Sequence, residues 1–110
     1  MTVLKAIAGG GRRIEQGEAG NTVIAQHLAA YCRGDEDALY ALGVAYSAGS
    51  DGVACDLVEA HRWFNIAAMN GHEEAALCRA DVAEEMTARE IAEAQRRARE
   101  WLRVSHRRAA

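Results

Sequence analysis

Histidine and cysteine are the side chains of this chain that could hold a metal ion or supply a nucleophile, and their spacing decides whether they do. A zinc site built on a helix needs two ligands about one turn apart. His27, His61, His72 and His106 each lack a second ligand at the i, i+4 position. Cys78 lies near His72 in sequence, but one such pair makes no site, so neither metal nor cofactor is expected. The three cysteines Cys32, Cys55 and Cys78 contain no C-x-x-C pair, and an odd set leaves at least one thiol outside any internal disulfide. That pattern favours a reducing compartment. Cys32 and Cys55 are expected to pack as small buried hydrophobes. Gly9, Gly10 and Gly11 precede two arginines without a Gly-Lys-Ser/Thr, so no phosphate loop is present. Ser50 sits in a turn that follows no strand and is not a nucleophile elbow. No acid–base pair stands out, and the chain is not expected to be an enzyme.

The elements that position these residues read as helices. Half of the 110 residues are hydrophobic but only 5% are aromatic, and there is no proline. Alanine therefore dominates the apolar set, which permits close helix packing and argues for an all-α protein of one domain. Glycines at 9, 10, 11, 17 and 20 disfavour continuous helix, so residues 1–20 are expected to form a flexible tail, with at most one helical turn near Val3 to Ala8. Asn21 or Thr22 can cap a first helix that ends at Gly34. A second helix is expected from Asp35 to about Ala48, burying Ala38, Ala41, Leu42 and Ala45 at helical spacing. The turn 49–52 follows, and Asp56 caps a third helix with a stripe of Leu57, Ala60, Phe64, Ala67 and Ala68 that ends at Gly71. A fourth helix runs from about Glu73 to Glu85. Thr87 caps a fifth that reaches about Val104, with the narrow seam Ile91, Ala94, Ala98, Trp101 and Leu102. The amino-terminal apolar run is too short and too interrupted for a secretory signal or a membrane span, so a cytoplasmic protein is expected.

An internal echo organises these elements. Ala30, Gly34, Glu36 and Ala38 recur 37 positions later as Ala67, Gly71, Glu73 and Ala75. Repetition at that spacing marks stacked helical hairpins. Between them stand Ala38, Leu42, Gly43, Tyr46, Gly49, Gly52, Val53, Asp56, Ala60, Trp63, Ala67, Ala68, Gly71 and Ala75. In that order they resemble the Sel-one-like repeat, a relative of the tetratricopeptide repeat, and residues 56–68 look especially like its bacterial members. Small residues such as Gly43 would let backbones approach, while Tyr46 and Trp63 would act as wedges whose polar edges need partners. The resemblance implies a short right-handed α/α solenoid. Residues 21–34 would be a capping helix, 35–71 a full repeat, 72–104 a degenerate repeat in which Trp101 takes the place of Trp63, and 105–110 a basic tail. It also implies protein–protein interaction as an adaptor or scaffold. Secreted members with paired cysteines in each hairpin are linked to β-lactams, and this chain lacks those pairs.

In related solenoids the first helix of each hairpin lines a concave surface. Opposite the buried stripe of the second helix lie Asp37, Tyr40, Val44 and Ser47, and the fourth helix offers Glu74, Cys78, Asp81 and Glu85 in the same way. Adjoining, these faces would make an acidic groove with an aromatic anchor, suited to a basic, partly apolar peptide of another protein. Charged residues on an exposed helix side are also ordinary, so a merely solvated face is the plain alternative. Charge is unevenly spread: residues 35–85 hold eleven acids against Arg62 and Arg79, whereas 95–110 hold Arg96, Arg97, Arg99, Arg103, Arg107 and Arg108 against Glu100. The basic end admits a second reading, a regulatory or nucleic-acid-binding role for the last helix. Against it stand the intrahelical pairs Glu93–Arg97 and Glu100–Arg103, a favourable place at a helix carboxyl terminus, and a domain not basic overall. The seam around Trp101 could also join two copies as a homodimer.

Overall fold

The computed structural model describes residues 16–109, with side chains described through Ser105. Among the described residues it is all-helical: α1 Glu18–Cys32, α2 Ala38–Ala48, α3 Leu57–Met69, α4 Glu73–Ala83 and α5 Ala88–Ala109. No helix among them is long and apolar enough to cross a membrane.

Local chemistry explains where most of these helices start and stop. Asp56 is extended and accepts a hydrogen bond from the Glu59 amide at 3.1 Å, opening α3. Thr87 and Glu90 open α5 reciprocally: the Glu90 amide donates to Thr87 Oγ1 at 3.1 Å, and the Thr87 amide donates to Glu90 Oε1 at 2.9 Å. Losing the hydroxyl in Thr87→Ala is expected to cost about 1 kcal/mol, read as a lowered urea midpoint. The turns closing α1 and α3 are built alike, 37 positions apart. Gly34 has φ +100° and Gly71 φ +97°. The Asp35 amide reaches the Ala30 carbonyl as the His72 amide reaches that of Ala67, each at 3.0 Å. These are left-handed helix closures that glycine accommodates without strain.

Several boundaries differ from the sequence-based expectation. α1 starts at Glu18, ahead of Asn21 and Thr22, and Thr22 instead bonds back to the Glu18 carbonyl inside the helix. The reason is Gly20, which is buried in α1 where the helix crosses the α2–α3 turn. A Cβ on Gly20 would lie 2.1 Å from the Gly52 carbonyl oxygen, so the glycine serves a close crossing and does not break the helix. Of the expected tail 1–20, residues 16–20 are thus structured. Residues 1–15, including the turn expected near Val3 to Ala8, lie outside the described residues. α2 begins at Ala38, because Asp35 uses its carboxylate in a local turn, accepting from the Asp37 amide at 3.0 Å. α4 ends at Ala83, with 84–86 in a turn. α5 continues past Val104 to Ala109, so 105–109 are helical, while the side chains of His106, Arg107 and Arg108 lie outside the description.

α3 is the centre, packed against α2, α4 and α5, while α1 packs on α2. It therefore buries more than one stripe: Ala60, His61, Trp63, Phe64, Ile66 and Ala67 are all buried, whereas Leu57 and Ala68 are half-buried. In α2, Leu39 is buried to 1% exposure alongside Leu42, and Ala41 is only half-buried. Gly43 lets α2 approach α3 directly over the Phe64 ring. On α5, Ala94 and Ala98 are the seam residues buried most deeply. Trp101 is half-buried, with its ring 5.4 Å from Trp63 in an edge-on arrangement and 5.6 Å from Tyr31. The α5 seam thus packs within the chain, an arrangement in which aromatic pairs add about 1 kcal/mol beyond burial.

A candidate interaction groove between α2 and α4

Because α2 and α4 flank α3 on the same side, their outward faces meet across it. A groove of about 520 Å³ runs between them. Its walls include Tyr40, Val44 and Ser47 from α2, and Cys78, Asp81 and Glu85 from α4 and the turn after it. Six of the eight residues that spacing placed on these faces are thereby brought together. Leu57, Phe64 and Val82 complete an apolar floor. The other two, Asp37 and Glu74, line an adjoining depression of about 640 Å³ with Glu36, Glu73 and Tyr31.

A stacked pair separates the two cavities. The His72 ring lies on Tyr40 with centroids 4.4 Å apart and planes 16° from parallel. His72 is also the cap of α4, its Nδ1 accepting from the Ala75 amide at 3.1 Å. With Nδ1 so engaged, Nε2 carries the proton and faces Asp37 Oδ1 at 3.2 Å. The wall between the cavities is thus fixed by backbone, ring and carboxylate together. Burial first, then the hydrogen bond and charge of Cys78 and the nearby Glu74 charge, raise the pKa of the Tyr40 hydroxyl above its ordinary value. Val44 is 37% exposed in the groove, an apolar side chain available for contact.

Sequence reasoning missed a second cluster, on the opposite side of α3. Glu59 accepts from Arg62 at 3.1 Å, from Trp63 Nε1 at 3.2 Å and from Arg97 at 2.6 Å, tying α3 to α5. The Arg62 guanidinium carbon sits 4.3 Å from the centre of the Trp63 ring. The polar edge of Trp63 finds its partner here. Both expected intrahelical pairs are present, Glu93–Arg97 at 2.7 Å and Glu100–Arg103 at 2.5 Å. Arg96, then Arg97, hold the half-buried Glu93 carboxyl down to about 2.

Cys32 and Cys55 are exposed, against the expectation of burial. Cys32 is the last residue of α1. Cys55 lies in the segment leading into α3, where its thiol donates to the Ser47 carbonyl at 3.6 Å on the groove wall. His61 is instead the buried polar residue, 3% exposed, with no partner for Nδ1 among the described residues. Burial first, then the Arg79 charge, lowers its pKa from 6.5. A histidine held neutral stabilises the fold above its unfolded value, and that stability is lost as pH falls through the lower folded value. The urea midpoint is therefore expected to drop between pH 7.5 and pH 5, and to drop less in His61→Leu. Among the described residues no group of three or more His, Cys, Asp or Glu is placed to hold a metal ion.

No family model, curated protein or solved structure matches this chain.

Proposed function

We propose that the chain is a protein-interaction module. In this reading it is a short right-handed solenoid of the Sel-one-like kind, whose α2–α4 groove captures a basic, partly apolar segment of another protein. The observation that carries it is the groove's composition: an apolar floor and an aromatic wall at Tyr40, rimmed by Asp81 and Glu85. Apolar floor and acid rim are the two things such a segment needs, burial for its aliphatic side chains and countercharge for its arginines. A preformed groove also spares the cost of ordering the receptor on binding.

The test is fluorescence anisotropy with a labelled peptide of interleaved arginine and leucine. Binding in the micromolar range at 50 mM salt is expected, weakening about tenfold by 500 mM as surface charges are screened. A peptide with every arginine replaced by glutamate should not bind. Equal affinity for both peptides would refute the reading.

A further inference from the structure

The chain carries its own candidate for this groove on another face. On α5, Arg89, Arg96, Arg99 and Arg103 are all exposed, and their spacings of seven, three and four residues align them on one side of the helix. Ala94 and Ala98 are buried on the opposite side, against α3. Arg96 and Arg103 remain 58% and 54% exposed although each touches a glutamate of its own helix. Ala92, three residues after Arg89 and four before Arg96, is exposed on the same side and supplies an apolar side chain. The stripe is thus basic and partly apolar, as the groove requires.

Position and spacing then say which copy it can serve. α3 stands between the two surfaces, packing α2 and α4 on the groove side and α5 through its own separate contact. A rigid copy cannot fold its α5 stripe into its own groove. Asp81 and Glu85 on the groove rim stand four positions apart, as Arg99 and Arg103 do on α5, so two acids can meet two arginines.

We propose that the α2–α4 groove of one copy takes the α5 arginine stripe of a second copy, so that copies add head to tail. This rests on the reading of the groove as a surface for basic, partly apolar segments. The contact is heterologous and uses two different patches, so each added copy leaves one groove and one stripe open. One helix in one groove buries less than a standard interface, and exposed ion pairs contribute little each. Association is therefore weak and sensitive to salt.

Sedimentation equilibrium from 20 to 500 µM, after nuclease treatment, tests this. At 50 mM salt the wild-type mass is expected to rise with concentration from 11.9 kDa past the dimer, and to return to the monomer at 500 mM salt. Arg99→Gln/Arg103→Gln and Asp81→Asn/Glu85→Gln should each be monomeric alone. Mixed in equal amounts they should stop at a heterodimer, since the first keeps its groove and the second its stripe. Four results would overturn the proposal: a monomer at 500 µM and low salt, a mass that stops at the dimer for wild type, association lost with nuclease treatment, or variants that associate as wild type does. A monomeric wild type that still binds the arginine–leucine peptide would remove self-association alone. Failure of both would remove the groove reading as well.

Discussion

Gly43→Leu is expected to leave the chain without a cooperative unfolding transition. A Cβ at this position would stand 2.6 Å from both Cδ1 and Cε1 of Phe64, closer than carbon atoms approach. Phe64 cannot yield easily, being 1% exposed in the centre of the core with the Tyr40 ring 5.8 Å away. Inserting methylenes into a packed core costs about 1–3 kcal/mol, and leucine brings four carbons to a site with no room for one. A domain of this size holds on the order of 5–10 kcal/mol in total. Gly43→Ala is the graded control: it gains up to about 1 kcal/mol of helix propensity and still meets Phe64, so a smaller net loss is expected. Far-ultraviolet circular dichroism against urea reads both. A Gly43→Leu protein that unfolds at the wild-type midpoint would show that α2 does not rest on Phe64, and the groove floor would go with it.

The second large effect concerns binding. Asp81→Lys/Glu85→Lys turns the acid rim basic while leaving Tyr40, Val44 and Leu57 in place. Both residues are exposed at the end of α4 and the turn beyond it, so the fold should tolerate the exchange. Each reversal replaces an attraction of about 0.5–1 kcal/mol by a repulsion of similar size. Together they should weaken the arginine–leucine peptide at 50 mM salt by about thirtyfold or more. Unchanged urea midpoints would assign that loss to the groove, and unchanged affinity would place the peptide elsewhere.

Much of this arrangement could be read from residues that act locally. Asp56 and Thr87 cap helices because their oxygens reach amides three residues on, and Gly34 and Gly71 close them because they take positive φ. The adjoining of Tyr40, Val44 and Ser47 with Cys78, Asp81 and Glu85 was legible because helical spacing alone aligns them once two helices lie side by side. What escaped depends on distant partners. Gly20 reads as a helix breaker until the Gly52 carbonyl is known to lie against it. Leu39, His61 and Ile66 fall outside a single stripe, and they are buried because α2 and α3 have neighbours on more than one side. The Glu59–Arg97 tie joins residues 38 apart in sequence and has no local signature. Cys32 and Cys55 were misplaced because thiols favour burial as a class, whereas these two sit where the chain leaves the packed faces.

The most direct test of the interaction groove is where a bound peptide is felt. Amide chemical shifts of uniformly labelled chain, held dilute and titrated with the arginine–leucine peptide, report this residue by residue. Perturbations concentrated at Tyr40, Val44, Ser47, Cys78, Asp81 and Glu85, with α1 and the outer face of α5 unmoved, are the expected result. Shifts spread evenly over the acidic surface, or none at these six positions at saturating peptide, would contradict it.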